Sequence, residues 1–153
     1  MACEFLYNDV QLVSLNAPII FRTSIACNKG YVYHEGETGN FILKGAVNNN
    51  CAQYATYQIT FNGNIAIPTG GTVGPIAVAL AVDGEPRLTS RAIITPAAVE
   101  EYGNVTSTAI IRVPRCCCFN LSVDYVNGNT DPTVTPATAI NVINANLTIS
   151  RIA

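Results

Sequence analysis

Between residues 57 and 67 apolar and polar side chains alternate almost without a break. Ile59, Phe61, Gly63, Ile65 and Ile67 fall on one side of an extended chain, and Gln58, Thr60, Asn62, Asn64 and Ala66 on the other. A period of two is the mark of a half-buried strand, because successive side chains of an extended backbone point to opposite faces. Leu121, Val123 and Tyr125 repeat the pattern later. Applied along the chain, it predicts strands over 17–22, 31–34, 40–45, 54–67, 74–82, 88–94, 105–113, 117–126 and 140–152, separated by clusters of Gly, Pro, Asn and Asp. Asp83-Gly84 and Asn127-Gly128 supply residues that tolerate positive φ and are expected to form tight hairpin turns. "TPAAVEEYG" is the one candidate helical turn, with Thr95 as N-cap and Pro96 at the first helical position. "PIAVALAV" is apolar on both faces, which requires cover on both sides, from within the chain or from a neighbouring subunit.

Composition narrows the class. Of the 153 residues 49% are hydrophobic and only 12% charged, so the chain folds around a core and presents an unusually uncharged surface. The net charge is −2 and the eight Lys and Arg are scattered, which argues against a nucleic-acid partner. Apolar runs are far shorter than the ~18 to 20 residues of a membrane helix. The N-terminus, "MACEFLYNDVQLVSL", carries Glu4 and Asp9 and does not read as a secretory signal.

The segments "GNFILKG", "YQITFNGNIAIPTGG", "PIAVALAVDGEP", "NVTSTAIIRVPRCCCFNLSV" and "NANLTISRIA", in that order, give residues 38–153 a rhythm that resembles the trimeric jelly-roll domains of the C1q and tumour-necrosis-factor type. The similarity is nearest to the bacterial and bacteriophage branch, whose domains cap fibrous stalks or decorate virions. The resemblance implies an all-β antiparallel sandwich of jelly-roll type, assembled as a homotrimer, located on a virion or an extracellular surface. Its partners would be capsid or fibre proteins, and loops at one end could take a glycan or a receptor. The chain has no Gly-X-Y repeat, and residues 1–37 have no counterpart in the minimal domain, so they are expected to form an N-terminal arm or edge strands ahead of the domain at 38–153.

Candidate chemistry is sparse. Cys116, Cys117 and Cys118 stand side by side, and the other cysteines, Cys3, Cys27 and Cys51, are isolated. Structural zinc sites use spaced pairs, so no metal site is expected. Neighbouring cysteines on a strand point to opposite faces, which disfavours a bond between them. The blander reading has Cys117 buried at the start of a strand as a small hydrophobe. The sharper one is cross-linking through Cys3, Cys116, Cys117 and Cys118, with Cys27–Cys51 a candidate intrachain pair. The single histidine, His34, lies beside Glu35 and Glu37, where a solvated loop residue is a simpler reading than a Cys-His nucleophile. Glu100 and Glu101 read as an exposed turn. Asp83, Asp124, Asp131 and Glu85 near turns do not form a dense acidic loop of the kind that holds Ca²⁺. Tyr31, Tyr33, Tyr54, Tyr57, Tyr102 and Tyr125 are available as stacking platforms, most of them expected in the core or at interfaces.

The expectation is therefore a non-enzymatic structural subunit of an extracellular or virion assembly, a capsid decoration or head-fibre protein, with no cofactor and no catalytic residues. A receptor- or glycan-binding module is the alternative. Candidate subunit contacts are Phe5, Leu6, Val10 and Leu12 on the arm and Val78 and Leu80 on the two-sided strand.

Overall fold

The computed structural model describes residues 2–25, 30–46 and 51–153. Their strands are β1 (Ala2–Tyr7), β2 (Gln11–Ser14), β3 (Thr23–Ile25), β4 (Val32–His34), β5 (Phe41–Lys44), β6 (Tyr54–Ala66), β7 (Ile76–Val82), β8 (Glu85–Pro86), β9 (Ala92–Ile94), β10 (Gly103–Pro114), β11 (Cys118–Asn127) and β12 (Ala139–Arg151). They form two antiparallel sheets. Sheet A runs β10-β6-β12-β1-β3, with β2 also paired to β12, and sheet B runs β4-β5-β11-β7-β8, with β9 also paired to β7.

Alternation decides which side of each strand is buried. On β6, Ala55, Tyr57, Ile59, Phe61, Gly63 and Ile65 are buried, and the residues alternating with them are half-buried or exposed. Leu147 and Ile149 of β12 stand opposite Phe61 and Ile59, and Val123 and Tyr125 of β11 stand opposite Leu80 and Val78, so each inner face presents a continuous apolar layer. Between the sheets Phe5, Phe21, Phe41 and Phe61 form a chain of edge-on rings with centroid separations of 4.6, 5.6 and 6.3 Å, a favoured arrangement because a ring's positive edge meets its neighbour's negative face.

Residues 2–25 belong to this sandwich. β1 is an inner strand of sheet A, paired over Ala2–Tyr7 with β12 and over Glu4–Leu6 with β3. Phe5 is 2% exposed and lies in the core. Of the arm or edge strands expected over 1–37, β3 and β4 lie at sheet edges, whereas β1 lies inside sheet A. An apolar residue at every second position of "ACEFLY" is what a strand between two partners needs.

The two-sided strand β7 is covered on both faces by its own chain. Ile76, Val78 and Leu80 enter the main core, and Ala77 and Ala79 form a small second cluster with Val126. Ile93 pairs with Ala77, which puts Arg91 on the same outer face, and its guanidinium donates to the Asn127 carbonyl at 3.1 Å on the far side of β7. Small side chains under an arginine stem close that face without a partner.

Local expectations fared unevenly. Asp83 and Gly84 have φ of 52° and 82° and join Val82 to Glu85, a two-residue turn with positive φ at both positions. At Asn127-Gly128 there is no hairpin, because the chain leaves sheet B for sheet A there. Gly128 instead lets the backbone of Pro75 and Ile76 approach, within 2.9 Å of where a Cβ would stand. Residues 88–90 form a 3₁₀ turn ahead of β9. The stretch 95–102 is not helical. Glu100, at φ 57°, donates its N–H to the Ile67 carbonyl and accepts from the Thr69 N–H and hydroxyl at 3.0 and 3.2 Å, so this segment staples the 67–70 turn.

Candidate functional site

The outer face of sheet A carries rows of short polar side chains. Register places Asn104, Thr106, Thr108, Ile110 and Arg112 of β10 opposite Asn64, Asn62, Thr60, Gln58 and Thr56 of β6. On the other side of β6, Asn146, Thr148 and Ser150 of β12 continue the rows, followed by Leu6, Glu4 and Ala2 of β1. Only Arg112 and Glu4 in these rows are charged. The short polar groups largely satisfy one another. The Asn104 amide donates to Asn62 Oδ1 at 2.9 Å, the Thr106 hydroxyl donates to the same oxygen at 3.0 Å, and the Thr60 and Thr108 hydroxyls share a bond of 3.2 Å. A face made mostly of small, mutually bonded, uncharged groups costs less to desolvate than a charged one, since few ions must leave water.

The candidate contact residues divide around this face. Leu6 and Leu12 project onto it, opposite Asn146 and Asn141, and Leu12 is 66% exposed. Val10 is exposed in the β1–β2 turn. Phe5, Val78 and Leu80 are at most 2% exposed in the core of a single chain, which removes them as contacts. Their apolarity serves the sandwich itself.

An open groove of about 490 Å³ lies where the β10 edge of sheet A meets the β7–β8 edge of sheet B, lined by Val82, Glu85, Arg87, Ile110, Arg112 and Phe119 among others. Arg87 crosses between the edges to donate to the Ile110 carbonyl at 3.0 Å. Beneath it the buried Ser107 hydroxyl donates to the Ser90 carbonyl, while Ser90 Oγ accepts from the Leu80 N–H at 3.0 Å and donates to the Arg87 carbonyl at 2.6 Å. This serine pair ties the two sheets together. Ser107 faces inward on β10, and neither it nor its partner 17 residues away was singled out from the sequence.

The cysteines are not where packing alone would put them. Cys117 is exposed, as are Cys116, Cys118 and Cys51, and all four are free thiols, which overturns both the buried Cys117 and the Cys27–Cys51 pair, whose other member lies outside the described residues. Cys3 is 1% exposed and disulfide-bonded, so it is no cross-linking arm residue. The reason lies in the turn. The Cys117 N–H donates to the Pro114 carbonyl at 3.0 Å and Cys116 sits at φ 62°, so Cys116 and Cys117 lie in the β10–β11 turn and Cys118 opens the strand.

His34 is packed, not solvated. Its ring stacks on Phe41 at 4.4 Å and 10°, meets Phe5 edge-on at 5.2 Å, and places Nε2 2.8 Å from the Thr38 carbonyl. It pairs with Phe41 at one end of β5, while Cys118 pairs with Lys44 at the other, so roughly 10 Å of strand separates histidine and thiols. The acidic candidates disperse likewise. Asp83 Oδ1 accepts from the Asn120 N–H at 2.8 Å, and Asp131 accepts from the Thr133 N–H and hydroxyl, which holds its carboxyl below the usual range. Asp124 is 6% exposed, and burial raises its carboxyl although the Ser122 hydroxyl donates to it at 2.8 Å and pulls the other way. Among the described residues no three of His, Cys, Asp and Glu are grouped to hold a metal ion. Of the tyrosines, Tyr33, Tyr54 and Tyr102 are exposed. Tyr57 and Tyr125 are buried, and burial pushes Tyr125 up to about 12 while its hydroxyl donates to the Ala137 carbonyl at 2.6 Å.

Solved structures similar to this sandwich include the globular domain of zebrafish complement 1qA, at TM-score 0.62 and 13% identity over 99% of this chain and 97% of that one. Eiger TNF from S. frugiperda superposes at TM-score 0.64 and 10% identity over 100% and 92% of the two chains. Murine APRIL at pH 5.0 gives 0.55 and 10% over 99% and 98%. The fold is that of the C1q and TNF jelly-rolls. No protein-family model and no curated protein matches the sequence. The C1q/TNF-type sandwich takes in β1 and β2, since the superpositions span nearly the whole chain. No helix among the described residues is long and apolar enough to cross a membrane.

Proposed function

We propose that the chain is a non-enzymatic structural subunit that assembles as a homotrimer through the outer face of sheet A, on an extracellular or virion surface. The observation that carries this reading is the self-bonded face of β10, β6, β12 and β1, charged only at Arg112 and Glu4 and fringed by Leu6, Leu12 and Ile110. In a surface already poor in charge, such a face suits contact with identical copies, where apolar margins gain from burial and few ions must be desolvated. The C1q/TNF-type fold supports closed threefold assembly as the symmetry. The setting follows the sequence resemblance, a capsid decoration or head-fibre protein whose partners are other capsid or fibre subunits.

The mass of the purified protein in solution tests the assembly. A value three times 16.2 kDa is expected at micromolar concentration. The double variant Thr60→Arg and Asn62→Arg should be a folded monomer, because like charges brought together across an interface cost several kcal/mol. A monomeric natural protein, or a variant that still trimerises, would refute the assembly. For the setting, antibody labelling should mark the outer surface of purified particles, and particles that carry none of the chain would exclude it.

A further inference from the structure

The cysteine turn brings several thiols together at one end of the molecule. Three backbone bonds fold the end of the molecule around it: Arg115 N–H to the Gln53 carbonyl at 2.9 Å, Cys116 N–H to the Ala46 carbonyl at 3.2 Å, and Gly45 N–H to the Cys117 carbonyl at 2.8 Å. The segment that starts at Cys51 is thereby joined to the β10–β11 turn, and four exposed free thiols sit in these two connections at one pole of the sandwich. Cys116 occupies the left-handed third position of its turn, which glycine or asparagine fills without strain. A thiol there costs conformational energy, and strained exposed residues gather at functional positions.

Redox chemistry supplies the second observation. Cys3 is disulfide-bonded within the core, a state that persists in oxidising surroundings. Exposed thiols do not survive there unpaired. Cys117 and Cys118 are consecutive, one in the turn and one opening β11, and adjacent cysteines form a bond only across a distorted peptide. A partner turn on a second molecule offers thiols without that distortion.

We propose that Cys116–Cys118 form disulfides with the same turn of a second copy, joining two molecules pole to pole. A second copy fits because a twofold contact presents the same surface patch on both molecules, so with the turn at the axis thiols meet thiols. The oxidant is a small disulfide, RSSR. A thiolate of the turn attacks one of its sulfurs, forming a protein–SR mixed disulfide and releasing RS⁻. A turn thiolate of the second copy then attacks the protein sulfur of that bond, forming the protein–protein disulfide and releasing the second RS⁻. The two protein thiol protons end on the two released thiols, so the sum is two protein thiols and RSSR giving one interchain disulfide and two RSH. The contact uses the pole and leaves the outer face of sheet A open, so it is independent of the trimer.

The test incubates the full chain with oxidised glutathione and reads intact mass under denaturing, non-reducing conditions, where no non-covalent assembly survives. A covalent dimer is expected, reversed by reductant, with peptide mapping placing the bond between two copies of 116–118. It should vanish in the C116S/C117S/C118S variant, and in the natural chain whose thiols are first alkylated, while C51S retains it. A chain that stops at mixed glutathione adducts or an internal bond, a triple variant that cross-links as well as the natural chain, or thiols held by a stoichiometric metal ion would each overturn the proposal.

Discussion

Phe5→Ala separates an inner strand from an arm. Phe5 is 2% exposed, its ring meets Phe41 at 4.6 Å and His34 at 5.2 Å, and it faces the core from the strand that closes β12 against β3. Truncating a buried phenylalanine costs about 3–5 kcal/mol, from lost transfer energy plus the cavity left in a packed interior. That is a large part of the ~5–15 kcal/mol that holds a domain folded. At roughly 2–4 °C per kcal/mol for a chain of this size, the midpoint of thermal unfolding should fall by about 6–20 °C. The assay is circular dichroism on dilute protein at two concentrations, so that any loss of association shows as a concentration-dependent midpoint. Leu12→Ala is the control, since a residue 66% exposed should change stability by no more than ~0.5 kcal/mol. A midpoint that moves less than about 2 °C for Phe5→Ala, at both concentrations, would refute the placement of β1 in the core.

Burying Asp124 raises its carboxyl, so in mild acid the folded chain holds a proton that the unfolded chain has lost, and stability rises as pH falls through that window. Asp124→Asn should abolish that gain and be no less stable than the natural protein at neutral pH; urea midpoints across about pH 4–7 check it. Val78→Asp or Leu80→Asp should prevent folding altogether and yield no soluble monomer, because both are fully buried in one chain's core; soluble yield and circular dichroism decide. Gly45→Ala would set its Cβ on the Pro114 carbonyl oxygen and should loosen the thiol pole, seen as faster alkylation of Cys116–Cys118 at little change in the core.

Alternation placed β6 and β11 and assigned their inward faces, because a period of two is a local property that any sheet must respect, and apolar runs between turn residues located β7, β10 and β12. The Asp83-Gly84 turn was legible for the same reason, its backbone angles being set by two residues. What covers each face was not local. The apolar run of β7 demanded cover on both sides, and whether that came from Arg91 and the chain's own loops or from a neighbour depended on contacts between distant segments. β1 read as an arm because its partner strand, β12, lies about 140 residues away in sequence, and pairing across that distance leaves no mark on either segment. The cysteine triplet carried the same ambiguity. Its position before a strand suggested burial, and only the closing of the β10–β11 turn, with Cys116 in the left-handed region, turned the three thiols outward. Sequence determined which residues could face inward, and tertiary structure decided which of them found something to face.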